Sequence, residues 1–272
     1  MSEMWNSVAG AWEANADFVD GHLAGATAAM LDAAGVDVGS KVLDMACGAG
    51  GAGLAAARRV GPSGSVILAD DAPEMLAAAG RRSDGLGQVS TLLCDQGEIP
   101  LSDGTVDCVI IRHGLMFAEY PAAAVGEGLR VTKPGGRYAA MTWGARSKNP
   151  WLGLTLDAVG EEFGIPFPPA EVLGPFALDD PDRLKIVLEE GGADDVSVQE
   201  FSTPAAFESV DAWWNLVLQL AGPLAIALEG MEPGVRESIR QRAVRMAGSA
   251  ATETPDGISL QGSVLIASGS RP

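Results

Sequence analysis

The feature that most constrains this chain is a glycine-rich turn placed directly behind an apolar strand. Lys41-Val-Leu-Asp-Met45 reads as a buried strand, and Gly48-Ala-Gly50-Gly-Ala-Gly53 follows it. Glycines at that point let a ligand approach the backbone closely, and an Ala-rich helical stretch over 53–60 completes a strand–turn–helix unit. A unit of this kind needs a sheet covered on both faces, so strands and helices should alternate beyond it.

They do. A turn at Gly61-Pro62-Ser63-Gly64 leads to a strand over 65–70, a helix over 73–81 and a strand over 89–94. Ser102-Asp103-Gly104 introduces a strand over 106–111, followed by a helix over 122–131. Lys133-Pro134-Gly135-Gly136 then turns into a strand over 137–143. This pitch predicts an α/β fold with a doubly wound, mostly parallel sheet. The pattern breaks over 147–177, which is rich in Pro, Gly and aromatics. A helix over 182–190, a strand over 195–202, a helical stretch over 204–250 and a last strand over 263–268 complete the reading. The simplest organisation is a single domain over 1–272. Its sheet core covers about 36–147, 178–202 and 258–272, and a helical cap draws on 1–35, 148–177 and 203–257.

Charge and composition remove several function classes. A net charge of −18 repels phosphate backbones, so nucleic acid is not an expected partner. Met1 to Gly10 shows no basic region and no apolar run, so no secretory signal is expected. The uncharged stretch between Asp211 and Glu229 is too short and too broken for a membrane span. Cys47, Cys94 and Cys108 lack metal-ligand spacing and read as small buried hydrophobes in a reducing, cytoplasmic setting. No metal site is expected, since His22 and His113 are the only histidines.

The glycine loop supports two cofactors. With Asp70 twenty residues after Gly50, it matches a dinucleotide fingerprint and suits a nicotinamide oxidoreductase. Asp44, four residues before Gly48, points elsewhere. A carboxylate at the mouth of the loop repels a pyrophosphate and attracts the α-ammonium of a methionine moiety. Bracing of the loop is the other role open to it.

Further motifs follow: Val42-Leu-Asp-Met-Ala-Cys-Gly-Ala-Gly50, Asp70-Asp-Ala-Pro-Glu-Met-Leu76, Leu93-Cys-Asp-Gln96, Ile99-Pro-Leu-Ser-Asp-Gly104, Phe117 and Arg130-Val-Thr-Lys-Pro-Gly-Gly136. In this order and spacing, over about 42–144, the chain resembles the class I S-adenosylmethionine-dependent methyltransferases, small-molecule branch, related to menaquinone and ubiquinone methyltransferases. Arg112-His-Gly-Leu-Met-Phe117 and Asn149-Pro-Trp151 are similar to one bacterial subgroup, which usually has an aromatic where His113 stands. Ala46 replaces the commonest loop glycine.

The resemblance implies a Rossmann-like, seven-stranded methyltransferase sheet that binds S-adenosylmethionine and releases S-adenosylhomocysteine. It implies that Asp44 with Ala46, Gly48 and Gly50 holds the methionine half and that Asp70 takes the ribose hydroxyls. Asp71 and Met75 would border the adenine, Asp95 would accept from its amino group, and the Gln96 backbone would read the ring. Arg112 and His113 would face the sulfonium and the acceptor.

For the acceptor, the sequence gives no Asn/Asp-Pro-Pro-Tyr segment of the kind used on nucleobase amines. The cap carries Trp5, Trp12, Trp151, Phe163, Phe167, Phe176, Trp213 and Trp214, which suit either a pocket for an apolar or aromatic small molecule or ordinary helix packing. Trp12, Met116, Trp151, Trp213 and Trp214 are the candidate acceptor contacts. Leu216, Leu220, Leu224 and Leu228 form a stripe that fits core, pocket wall or a homodimer contact, with Pro223 set to kink any single helix there. His113 stands as the candidate base, or as a wall of the pocket that orients the acceptor. Transfer to a quinol, phenol or natural-product-like acceptor, reduction with a nicotinamide, and a repurposed binding fold are the three functions left open.

Overall fold

The computed structural model describes residues 2–169 and 172–272, so 170 and 171 of the expected cap segment lie outside the described residues. The chain opens with three helices, α1 (Ser2–Ala14), α2 (Ala16–His22) and α3 (Ala24–Ala33). Alternation begins at β1 (Lys41–Met45) and proceeds through α4 (Gly51–Val60), β2 (Ser65–Asp70), α5 (Pro73–Arg82), β3 (Val89–Leu93), β4 (Val106–Arg112), α6 (Pro121–Val131) and β5 (Thr132–Trp143). There follow α7 (Pro150–Phe163), α8 (Pro181–Glu190), β6 (Asp194–Ser202), β7 (Ala205–Phe207), α9 (Val210–Leu220), α10 (Gly222–Glu229) and α11 (Pro233–Ala250). The last elements are β8 (Thr252–Thr254), β9 (Gly257–Leu260) and β10 (Ser263–Ser270).

Seven strands form one sheet in the order β3-β2-β1-β4-β5-β10-β6. The five strands from β3 to β5 are mutually parallel, and β10 inserts antiparallel between β5 and β6. The centre of this sheet is sealed on both faces: Val42, Leu43, Val109, Ile110 and Ile111 have no solvent exposure. That explains why these strands read as continuous apolar runs. Close packing of α4 on the sheet depends on Gly53, because a Cβ there would overlap Leu68 Cδ2 and stand 2.7 Å from Asp44 Oδ2.

The cap departs from the sequence reading in three places. The segment 147–177 hides a full helix, α7. Pro150 sits in its first turn, where a missing N–H costs nothing. Asn149 does not cap this helix with its side chain. It is fully buried, donating to the Gly144 carbonyl at 2.9 Å and accepting from the Ser263 N–H at 2.9 Å, so it ties the end of β5 to the start of β10. The helical stretch over 204–250 is divided into β7 and three helices. The third correction is a small antiparallel sheet, β7-β9-β8, which belongs to the cap. Residues 258–260 therefore pair with cap strands, and the core sheet resumes at Ser263 rather than at 258. Of the leucine stripe, Leu220, Leu224 and Leu228 are buried within the monomer, so core is the reading that the structure selects.

Candidate active site

The glycine loop leaves β1 at the carboxyl edge of the sheet, where the order reverses between β1 and β4. Ligands of such sheets bind at this point. Asp44 ends β1 with no solvent exposure. Its Oδ2 accepts from the Gly53 N–H at 2.7 Å, whereas Oδ1 is buried without a partner. Burial drives its carboxyl up to about 7, against the opposing pull of Arg112 and the Gly53 N–H. The loop-bracing role is thus real, and one lone pair set remains to be satisfied. A buried acceptor without a donor is costly, and a ligand ammonium would relieve it.

Gly48 and Gly50 take positive φ, and a Cβ at Gly48 would meet open space. Asp70 ends β2 and braces the same loop, accepting from Gly48 N–H at 2.8 Å and Ala72 N–H at 2.9 Å. Burial raises its carboxyl as well. An ionised carboxylate has acceptor sites beyond these two bonds, so ribose hydroxyls fit there. Asp71 is exposed, and Met75 is buried beneath Trp5, Val8 and Trp12 of α1. Asp95 is exposed and accepts from the Gly97 N–H at 2.7 Å. Gln96 reaches Gly114 through Nε2 and keeps a buried, unpartnered Oε1. These positions form one band at the ends of β1, β2 and β3, and Asp44 Oδ1 and Gln96 Oε1 within it are buried without partners. The set of acceptors fits an S-adenosyl nucleoside with a free ammonium.

Two non-glycine residues at this edge take left-handed backbone: Ala46 at φ 49° and His113 at φ 59°. Such strain persists only where surrounding structure fixes it, and it clusters at functional sites. The His113 N–H donates to the Met141 carbonyl at 2.8 Å, and its ring stacks on Trp143 with centroids 3.9 Å apart. Trp143 meets Trp151 edge-on at 5.2 Å, and Trp151 meets His22 at 5.5 Å. The ring nitrogens of His113, His22 and Trp151 are sealed from solvent without hydrogen-bond partners. Burial, with Arg112 and His22 adding to it, pushes His113 well below the ordinary imidazole range. His22 is lowered by burial too, with Arg112 adding to it. Both rings are therefore neutral at pH 7. Sequence reasoning did not assign His22 or Trp143 to the site, because nothing local marks them; they arrive from α2 and from the end of β5.

The other aromatic candidates are divided among separate clusters. Trp5 packs on Trp12 and Phe117, and Trp12 Nε1 donates to the Leu220 carbonyl at 3.0 Å, so α1 is fastened to α9 over the β2 edge. Trp213 is fully buried and donates to the Trp151 carbonyl at 2.6 Å; Trp214 is buried beside it. These two are pillars between α9 and α7, and Trp213 supports Trp151 from behind. Met116 is buried in the main core. Burial raises the thiols of Cys47, Cys94 and Cys108, so none is a thiolate at neutral pH. Among the described residues, no group of three or more His, Cys, Asp or Glu is placed to hold a metal, and no helix is long and apolar enough to cross a membrane. Two clefts open elsewhere on the surface, one around Pro62, Gly87 and Ser90 and one around Asp32, Gln199 and Ser268. The carboxyl edge is covered by the cap.

The sheet order, the loop behind β1 and the acids at the ends of β1 and β2 define a Rossmann-like methyltransferase. Comparison with known proteins agrees. A family model described as a methyltransferase domain matches residues 43–140. A ubiquinone/menaquinone biosynthesis C-methyltransferase of Cellvibrio japonicus is 31% identical over 193 residues, covering 70% of this chain and 75% of that protein. A protein encoded in a Streptomyces fradiae transposon is 38% identical over 128 residues, covering 47% of this chain and 35% of that one. The chain thus spans from about a third to three-quarters of the length of these relatives. The geranyl diphosphate C-methyltransferase of Streptomyces coelicolor, solved with Mg2+, geranyl diphosphate and S-adenosyl-L-homocysteine, shares the fold. Its TM-score is 0.52 at 16% identity, over 92% of this chain and 79% of that one. The chain belongs to the class I S-adenosylmethionine-dependent methyltransferases related to the ubiquinone/menaquinone enzymes, with S-adenosylmethionine as its cofactor. The nicotinamide alternative raised by the glycine fingerprint is not favoured.

Proposed function

We propose that the chain transfers a methyl group from S-adenosylmethionine to a small, apolar or aromatic acceptor such as a quinol, phenol or natural-product-like ring. The observation that carries this reading is the cluster of aromatic rings in which His113 and Trp143, at the ends of β4 and β5, pack with Trp151 of α7 and His22 of α2 beside the glycine loop. Flat neutral walls suit a flat neutral ligand.

The bound cofactor supplies an electrophilic methyl group for in-line displacement. The chain supplies position and dryness. Asp44 anchors the amino-acid end and Asp70 the ribose, Ala46, Gly48 and Gly50 give the ligand backbone room, and Asp95 and Gln96 read the base. His113 is a neutral hydrogen-bonding wall that orients the acceptor. Burial disfavours its protonated form, so orientation suits it better than proton abstraction. Holding the partners together in a water-free box is itself a large rate effect.

The test has two parts. Calorimetry should show S-adenosylhomocysteine binding and no response to NADH; the reverse pattern would remove the methyltransferase reading. Incubation with methyl-labelled donor and a panel of quinols, phenols and indoles should label at least one ring acceptor. Label transferred only to polar aliphatic acceptors would refute the acceptor class.

A further inference from the structure

Asp20 lies on α2, outside every motif of the fold, yet its carboxylate sits at the glycine loop. Oδ1 accepts from Arg112 Nη2 at 2.8 Å, and Oδ2 accepts from Arg82 Nη2 at 2.5 Å. Arg82 Nη1 donates to the Ala49 carbonyl within the loop at 2.5 Å, and Arg112 Nη1 donates to Thr27 of α3 at 3.1 Å. A Cβ at Gly51, the first residue of α4, would overlap both Asp20 Oδ1 and Arg112 Nη2. Two arginines thus converge on the amino end of a helix, an arrangement that attracts an anion. Their side chains are 11% and 18% exposed for Arg112 and Arg82. Arg112 also acts electrostatically on Asp44, whose Oδ1 is buried without a partner. Burial pushes the Asp20 carboxyl up, but Arg112 and Arg82 outweigh it, so Asp20 is an anion at neutral pH.

An amino-acid end needs a cation for its carboxylate and an acceptor for its ammonium. Both are present, and the cations are already engaged by a carboxylate of the chain. We propose that Asp20 is a resident counter-anion for Arg82 and Arg112, which the α-carboxylate of an S-adenosyl ligand displaces, freeing α2 from the loop. This rests on the methyltransferase reading above. It makes Asp20 a determinant of ligand choice: nucleosides with a carboxylate exchange with it, and nucleosides without one leave it in place. Since α2 also carries His22, the exchange links the cofactor's amino-acid end to a wall of the acceptor box.

The experiment compares S-adenosylhomocysteine with 5′-methylthioadenosine, which lacks the amino-acid end, by calorimetry. In Asp20→Asn, S-adenosylhomocysteine should bind about tenfold tighter, the scale of one charged hydrogen bond, while 5′-methylthioadenosine is unchanged. Arg82→Gln should weaken S-adenosylhomocysteine alone. Equal weakening of both ligands in Asp20→Asn would show that Asp20 merely props the cap, and unchanged affinity for both would equally overturn the proposal. Hydrogen exchange of the unaltered protein gives a second measurement that no folding defect can confuse. Amides over 16–22 should exchange faster with S-adenosylhomocysteine and not with 5′-methylthioadenosine; equal protection by both ligands overturns the exchange. An unaltered protein that binds neither nucleoside would overturn the proposed function together with this inference. Binding that is insensitive to Asp20 overturns the inference only.

Discussion

Ala46 and Gly114 share one space: a Cβ on Gly114 would overlap the Ala46 Cβ and stand 3.1 Å from Ile111 Cδ1. The Ala46 methyl is accommodated because the chain after β4 carries no side chain opposite it. Gly114 has ordinary right-handed backbone, so the space rather than the dihedral forbids a side chain there. Gly114→Ala should destabilise the protein by about 1–3 kcal/mol, the usual scale of overpacking. Ala46→Gly in the same chain should recover most of that loss, a coupling expected of residues in contact. Denaturant unfolding of the two single variants and the double variant measures it, and strictly additive effects would contradict the shared space.

Asp44 should make the protein less stable as pH rises. Its carboxyl titrates near 7 when folded and near 3.8 when unfolded. Between those values the folded chain holds a proton that the unfolded chain lacks, so stability falls with increasing pH across the window. His113 acts oppositely: its folded value lies below 6.5, so stability falls as pH drops below 6.5. Comparing Asp44→Asn with the parent isolates the first effect. The variant should be more stable by about 1–3 kcal/mol at pH 8, yet bind S-adenosylhomocysteine more weakly. Melting temperatures that diverge at pH 4 and converge at pH 8 would reverse the assignment.

For His113, an orienting wall and a general base give different kinetics. As a wall, His113→Phe should lose about tenfold in turnover, one hydrogen bond's worth, with the pH–rate profile unchanged. A base would cost about 10²–10⁴-fold and take the acidic limb of the profile with it. The pH–rate profile of the variant decides between them.

Trp213→Phe should destabilise by about 1–3 kcal/mol, since it removes the indole donor to the Trp151 carbonyl and leaves space where a fully buried ring stood. Affinity for S-adenosylhomocysteine should stay within threefold if Trp213 is a pillar of the cap. A large affinity loss at unchanged melting temperature would place Trp213 in the binding site instead.

The sequence by itself determined the sheet and its cofactor edge. Continuous apolar runs, glycines behind the first strand, and acids at fixed distances are local signals, because backbone room and strand-end position are local properties. Asp44, Asp70 and the loop glycines could be named from spacing alone, and the structure puts them along one edge. The tertiary structure decided the rest. Asn149 and Pro150 read as a loop until burial showed a helix start stitched to β10. Aromatics that looked like one mouth were separated into an α1 cluster, a pair of pillars and the box around His113, because which faces meet depends on how α2, α7 and α9 cross. The placement of Asp20 against Arg82 and Arg112, 62 and 92 residues away, has no sequence signature at all. Pairings of that kind depend on long-range packing, where a side chain's partner is set by the fold and not by its neighbours in the chain.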